Sequence, residues 1–198
     1  MAAMGEDLEQ TKRRLRRGLL AARRDLSAPT ATQLAVAVCR RVCSLAAFGA
    51  ARHVVAYAPI DNEVDPAVAL AAARAAGKCI YFPRRSPAGL EFLRADPESL
   101  IRGAAGIPEP TGGVPLPEPD DAVLFLVPGV AFDPRGVRLG RGGGDYDRAL
   151  SRHPAAVRIG LAYELQLASG LPEDPWDVRM DAVATELRLL ESGLRRVA

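Results

Sequence analysis

The nine residues DAVLFLVPG, at 121–129, decide the fold. They are apolar without interruption from Ala122 to Val127 and are stopped by Pro128 and Gly129. A strand with one wet face alternates apolar and polar residues. An unbroken apolar run bounded by turn residues suits a strand covered on both faces, as in a parallel sheet between helices. Working outward, the same kind of segment recurs. RHVVAYAPI reads as a buried strand over 52–58, KCIYFP as a strand closed by Pro83, and LEFLRA, which alternates, as a third. Downstream, AAVRIGLAYE is a further buried strand, and MDAVATELRLL is a short strand or a strand–helix pair.

Helical segments fill the gaps. Residues 6–26 hold no Pro and many Leu, Ala and Arg. A second helix is expected from Thr30 as N-cap to about Ala47. Asp65 and Pro66 form an N-cap and N1 pair for a third, which runs through Ala76 and is stopped by Gly77. GGDYDRALSRH is another helix start, while residues 103–121 form a long irregular connection rich in Gly and Pro. Strands alternating with helices argue for an α/β layered fold with a mainly parallel or mixed central sheet. No repeat or dividing linker is found, so residues 1–198 read as one domain with an N-terminal basic helix. In such sheets ligands gather beyond the carboxyl ends of the strands. The loops after Ala58, Pro83, Pro128 and Ala162 are therefore the first places to look for a site.

The formal net charge is only +2, which argues against a dedicated nucleic-acid binder. No 18-residue apolar run predicts a membrane span, and the charged N-terminus does not read as a signal peptide. Cys39, Cys43 and Cys79 lack metal-ligand spacing and read as reduced core thiols of a cytoplasmic protein.

Basic residues crowd into 12–24. At about 100° per residue, Lys12, Arg16 and Arg23 fall within about 40° of one another on a helix, beside an apolar stripe of Leu8, Leu15 and Leu19. Arg13, Arg14, Arg17 and Arg24 point elsewhere. The first set borders the buried face, where it can reach a cleft. A solvated basic helix with snorkelling stems, or an acidic-membrane or nucleic-acid anchor, are the alternatives.

RLGRGGGDYD, at 138–147, carries more glycine than a turn needs. It lacks the Gly-Lys-Ser/Thr of a Walker loop, and Asp145 stands where a dinucleotide fingerprint needs its third glycine. What remains is a stripped backbone between Arg138 and Arg141, ahead of a helix start. That suits a phosphate cradle or a plain structural turn. Asp147 and Asp177 could share Mg²⁺, among many other acidic pairs.

VPGVAFDPRGVRLGRGGGDYDRAL resembles the signature of the 5-formyltetrahydrofolate cyclo-ligase family. KRRLR at 12–16, YAPIDNEVDP, GIPEP, GLAYELQ and DVRMDAVATE resemble further family segments in the right order, so the resemblance spans nearly the whole chain. It implies a single-domain, three-layer α/β/α fold of the sugar-phosphate isomerase and CoA-transferase-like architecture. It also implies ATP-dependent cyclisation of 5-formyltetrahydrofolate to 5,10-methenyltetrahydrofolate with Mg²⁺. A monomer is expected, with neither nucleic acid nor membrane as partner. A non-catalytic folate- or nucleotide-binding regulator on the same scaffold is the alternative.

Carried over residue by residue, the resemblance implies an ATP site of Lys12, Arg13, Arg14, Leu15 and Arg16 with Arg138, Leu139, Gly140, Arg141, Gly142, Gly143, Gly144, Asp145 and Tyr146. Within the first segment, the wheel selects Lys12 and Arg16 as the phosphate contacts. The folate site would comprise Glu63, Arg141, Gly142, Gly143, Gly144 and Asp145; Arg138 and Arg141 would be catalytic; Asp147 and Asp177 would hold the metal. The chain departs from the family at Asp145, where an aromatic usually precedes Tyr-Asp. A carboxylate there should repel phosphate by on the order of 1 kcal/mol if solvated.

Overall fold

The strand read from DAVLFLVPG, Val123–Pro128, lies at the centre of the sheet. The computed structural model describes residues 2–103, 106–118 and 122–193, with the side chains of residues 2–7 left aside. Parts of the 103–121 connection, residues 104–105 and 119–121, thus lie outside the described residues. In chain order the elements are α1 (Ala2–Arg24), α2 (Ala28–Cys43), α3 (Ala46–Ala50), β1 (His53–Val55), α4 (Ala67–Ala75), β2 (Cys79–Ser86), β3 (Gly89–Arg94), β4 (Ile101–Arg102) and β5 (Pro108–Glu109). They continue with β6 (Val123–Pro128), β7 (Ala131–Phe132), β8 (Arg138–Leu139), α5 (Asp145–Leu150), β9 (Val157–Leu161), β10 (Ala182–Ala184) and β11 (Leu189–Glu191).

Seven strands form one sheet in the order β11-β10-β9-β6-β1-β2-β3. The inner five run parallel, and the edge strands β3 and β11 pair antiparallel with their neighbours. Alternation along β6 serves both faces. Leu124 and Leu126 join the core under α2, α3 and α4, with Val38, Phe48 and Leu70. Val123, Phe125 and Val127 join the opposite core with Phe132 and with Leu150 of α5. A smaller cluster packs Leu15 and Leu19 of α1 onto Val137 and Leu139 of the β7–β8 hairpin and onto Leu171. This contact lays α1 along the carboxyl ends of the strands.

Five local expectations need correction. The second helix is capped by Ser27, not Thr30: the Ser27 hydroxyl accepts from the Thr30 N–H, and Pro29 fits the first turn. It ends at Cys43, and α3 follows as a separate helix. Pro83 does not close its strand. The parallel pairing with β1 stops at Tyr81, so from there β2 is bonded only to β3 and loses nothing at a residue without an N–H. The last segment is a strand pair, β10 and β11, and not a strand followed by a helix. At α4 the N-cap position is Pro66, one residue later than expected, although the Asp65 carboxylate just before it accepts from the Ala67 N–H at 2.9 Å.

Candidate active site

A cleft of about 410 Å³ opens at the carboxyl ends of β1, β2 and β6. Tyr57, Ala58, Pro83 and Gly129 form part of its lining, so three of the four expected loops contribute. The loop after Ala162 does not line it but lies beneath: the Gln166 amide donates to the carbonyls of Gly129 and Val130, bracing the end of β6.

One wall is α1. Lys12 is buried, and its ammonium lies 2.6 Å from Asp174 and 3.2 Å from Asp177. Burial lowers its pKa, but the hydrogen bonds and charges of the two acids outweigh that and hold it above the ordinary value. Arg16 donates from Nε to the carbonyl of Gly140 at 3.0 Å and pairs with Glu9. Arg13, Arg14 and Leu15 are not brought to the cleft. The two arginines are exposed, and Leu15 packs on the hairpin, because helical periodicity turns all three away from the Lys12 face.

The other wall follows β8. Arg138 is buried, with one guanidinium nitrogen 2.9 Å from both oxygens of Asp147 and its Cζ 5.4 Å from the centroid of the Tyr146 ring. Leu139 faces the small core, while Gly140 meets Arg16. A β-carbon at Gly140 would stand 2.6 Å from the Arg138 guanidinium, so a side chain there would push that group aside. Gly142 adopts φ +103, a conformation that side chains resist. Gly143 and Gly144 lead into α5 along the cleft. Burial raises the pKa of the Tyr146 hydroxyl well above its ordinary value.

Arg141 reaches back across the cleft, 2.9 Å from Asp61 and 3.4 Å from Glu63. The Glu63 carboxylate is nearly buried. Its Oε2 accepts from the Ile60 N–H, and its Oε1 faces Arg141 and, at 3.6 Å, Arg23. Burial raises its pKa, against the opposing pull of Arg23, the Ile60 N–H and Arg141.

Asp145 is not a solvated charge. Its carboxylate is 2.6 Å from Arg85 and 2.5 Å from Arg148, so two cations offset the repulsion expected from it. Asp147 and Asp177 both line the cleft, and the Val178 N–H donates to Asp147, tying the two segments together. Among the described residues no three acids, histidines or cysteines are grouped to hold a metal. The bonds from Lys12 and the Asp174 N–H both fall on Oδ2 of Asp177. An ion held here by Asp147 and Asp177 would share their oxygens with Arg138 and Lys12 and take its other ligands from phosphate and water.

Several cleft residues were missed. Asp174 is one of the many other acids, though its three-residue spacing from Asp177 signals the turn in which its N–H binds that acid. Asp61 and Arg85 carried no sequence signal, since their partners lie 80 and 60 residues away. Trp176, 71% exposed, lines the cleft.

The model of the 5-formyltetrahydrofolate cyclo-ligase family matches residues 8–186. The chain is 35% identical over 151 residues to the 5-formyltetrahydrofolate cyclo-ligase of Escherichia coli, covering 71% of this chain and 81% of that one. It is 32% identical over 179 residues to that of Haemophilus influenzae, covering 85% and 94%. Among solved structures, the 5,10-methenyltetrahydrofolate synthetase of Aquifex aeolicus superposes with a TM-score of 0.81 at 34% identity, over 93% of this chain and 94% of that one. The glycine loop, the cationic wall and these likenesses agree: the chain belongs to the 5-formyltetrahydrofolate cyclo-ligase family.

Proposed function

We propose that the cleft binds 5-formyltetrahydrofolate at its Glu63 end and ATP along residues 140–144, and there joins N10 of the folate to the formyl carbon. Family membership makes the chain an ATP-dependent ligase of folate one-carbon chemistry. The observation that carries the assignment within the cleft is Arg141, which leaves the glycine loop and reaches the buried Glu63 carboxylate at 3.4 Å. It links a phosphate-suited end to a ring-suited end in one cleft.

The formyl oxygen is a poor leaving group. Transfer of the γ-phosphoryl group to it forms an O–P bond, breaks the bond to ADP and gives an imino-phosphate. The N10 amine then attacks the formyl carbon. The C–O bond breaks, phosphate departs, and the N10 proton is released. Such chemistry depends on positioning and charge stabilisation more than on a strong base. Arg138 and Arg141 stabilise charge on the transferring group, and Lys12 and Arg16 hold the other phosphates. Glu63 accepts two hydrogen bonds from the pterin ring N–H and its exocyclic amine. Asp147 and Asp177 would hold Mg²⁺, which supplies charge neutralisation on the phosphates. We place Asp145 outside that shell, as the partner of Arg85 and Arg148. We take residues 1–198 as one catalytic unit working as a monomer. The free cysteines, Cys39, Cys43 and Cys79, support a reducing, cytoplasmic setting. No helix among the described residues is long and apolar enough to cross a membrane.

The test is absorbance of the methenyl product with and without ATP, alongside ADP release. The reading expects one ADP per product and no ADP without folate; binding of both ligands with no product would make the chain a silent regulator. Glu63→Gln exchanges an acceptor for a donor and should weaken folate binding by about 1–3 kcal/mol. Unchanged affinity of the folded variant by calorimetry would remove Glu63 from the site.

A further inference from the structure

Arg23 is fully buried, at 0% exposure, and is the largest such side chain of the described residues. Its Nε donates to the carbonyl of Asp61 and one terminal nitrogen to that of Gly129, each at 2.9 Å. The other terminal nitrogen finds no hydrogen-bond acceptor among the described residues and lies 3.6 Å from Glu63 Oε1. Two carbonyls need only neutral donors, and a buried charge is costly unless it is paired. The surplus charge is therefore directed at Glu63. Asn62 adds rigidity: its amide donates to the carbonyls of Arg23 and Leu26, locking the 61–63 turn to the end of α1.

Two cations face Glu63, and they differ in freedom. Arg141 is 41% exposed in its side chain, is shared with Asp61 and belongs to the phosphate loop. Arg23 is enclosed and fixed at both of its other nitrogens. The remaining groups around Glu63 are Asp61 on the same turn, Tyr57 after β1, Tyr146 of α5, and Tyr163, whose hydroxyl donates to the Glu63 carbonyl. None of these supplies a positive charge. When Arg141 turns to phosphate, Arg23 is the cation left.

We propose that Arg23 is a positioning residue for folate recognition: a fixed, buried counter-ion that keeps the Glu63 carboxylate ionised and aimed into the cleft while ATP engages Arg141. This rests on the assignment of Glu63 to the pterin ring. A protonated Glu63 loses an acceptor, so folate binding falls as pH drops through its titration. Burial already raises that titration and Arg23 opposes the rise, so removing Arg23 moves the acid limb to higher pH.

The experiment is calorimetric titration of the full chain with 5-formyltetrahydrofolate, with a non-hydrolysable ATP analogue present, from about pH 5 to about pH 8. Arg23→Gln should bind folate roughly tenfold or more weakly at about pH 6 and recover towards wild type at about pH 8. Arg23→Lys, which keeps the charge, should keep the wild-type pH profile even where affinity drops. Affinity for the ATP analogue should be unchanged in both. A loss in Arg23→Gln that is equal at every pH overturns the proposal and leaves a structural role, with the Glu63 reading intact. Wild-type affinity in Glu63→Gln overturns both. If Arg23→Gln does not fold, the carboxyl carbon of Glu63 is titrated by NMR in the wild-type complex with the ATP analogue. An ionised Glu63 at about pH 7 supports the proposal, and a protonated one overturns it.

Discussion

Arg138 and Arg141 stand three residues apart, on the two sides of Gly140, yet their surroundings are opposite. Arg138 is buried, held by Asp147 and packed near Tyr146. Arg141 is far more exposed and reaches across the cleft to Asp61 and Glu63. The first is set in place before any ligand arrives; the second is tethered by contacts that a phosphate can replace. A cation fixed in advance costs no reorganisation when charge develops beside it. A cation on a bare loop can exchange one anion for another. The cleft holds one of each.

The sharpest way to break this comparison is to truncate both. Arg138→Ala leaves Asp147 without its cation. It should lower kcat by about a hundredfold or more and cost about 3 kcal/mol in urea unfolding. Arg141→Ala should also lower kcat, but with stability within about 0.5 kcal/mol of wild type. Equal stability losses would show that the two arginines are not built differently.

The same contrast runs along α1. Lys12→Met strands Asp174 and Asp177 beside the proposed phosphate site and should raise the KM for ATP tenfold or more, whereas Arg13→Ala and Arg17→Ala should leave it unchanged. Steady-state kinetics on the three variants decides. Similar damage from all three would mean that the face bordering the cleft is not the functional one.

The smallest effect is expected at Asp145. Asp145→Tyr frees Arg85 and Arg148 from an anion next to the loop. It should tighten ATP by a few fold, about 0.5–1 kcal/mol, more at low salt than at high, and leave the Mg²⁺ requirement nearly unchanged. A large rise in that requirement would place Asp145 among the metal ligands.

What could be read from residues alone follows the range of the forces involved. The central sheet was legible because β6 carries six buried or half-buried residues in succession, and the α1 cleft face because helical period is local. Strand ends were less so. Whether Pro83 stops a strand depends on how far β1 extends beside it, which no local pattern records. In the site, the glycine loop announced itself through composition. Arg23 gave half a signal: its wheel position predicted the cleft border, but its burial depends on the carbonyls of Asp61 and Gly129, which only the fold brings near. Asp145 misled for the same reason. A carboxylate looks repulsive until Arg85, 60 residues earlier, is seen beside it.

The docking of α1 across the strand ends also sets the order in which the site is assembled. Arg23 bonds to a residue 106 positions later in the chain, and Lys12 to one 162 positions later. The helix is made early in synthesis but has no complete partner until β6, the β7–β8 hairpin and the turn at Asp174 have emerged. Contacts of such separation form late, because the intervening loop must close before they add stability. The cationic wall and the acids that neutralise it therefore meet near the end of folding. Until then Lys12 and Arg23 lack the partners they have in the fold and are open to other anions.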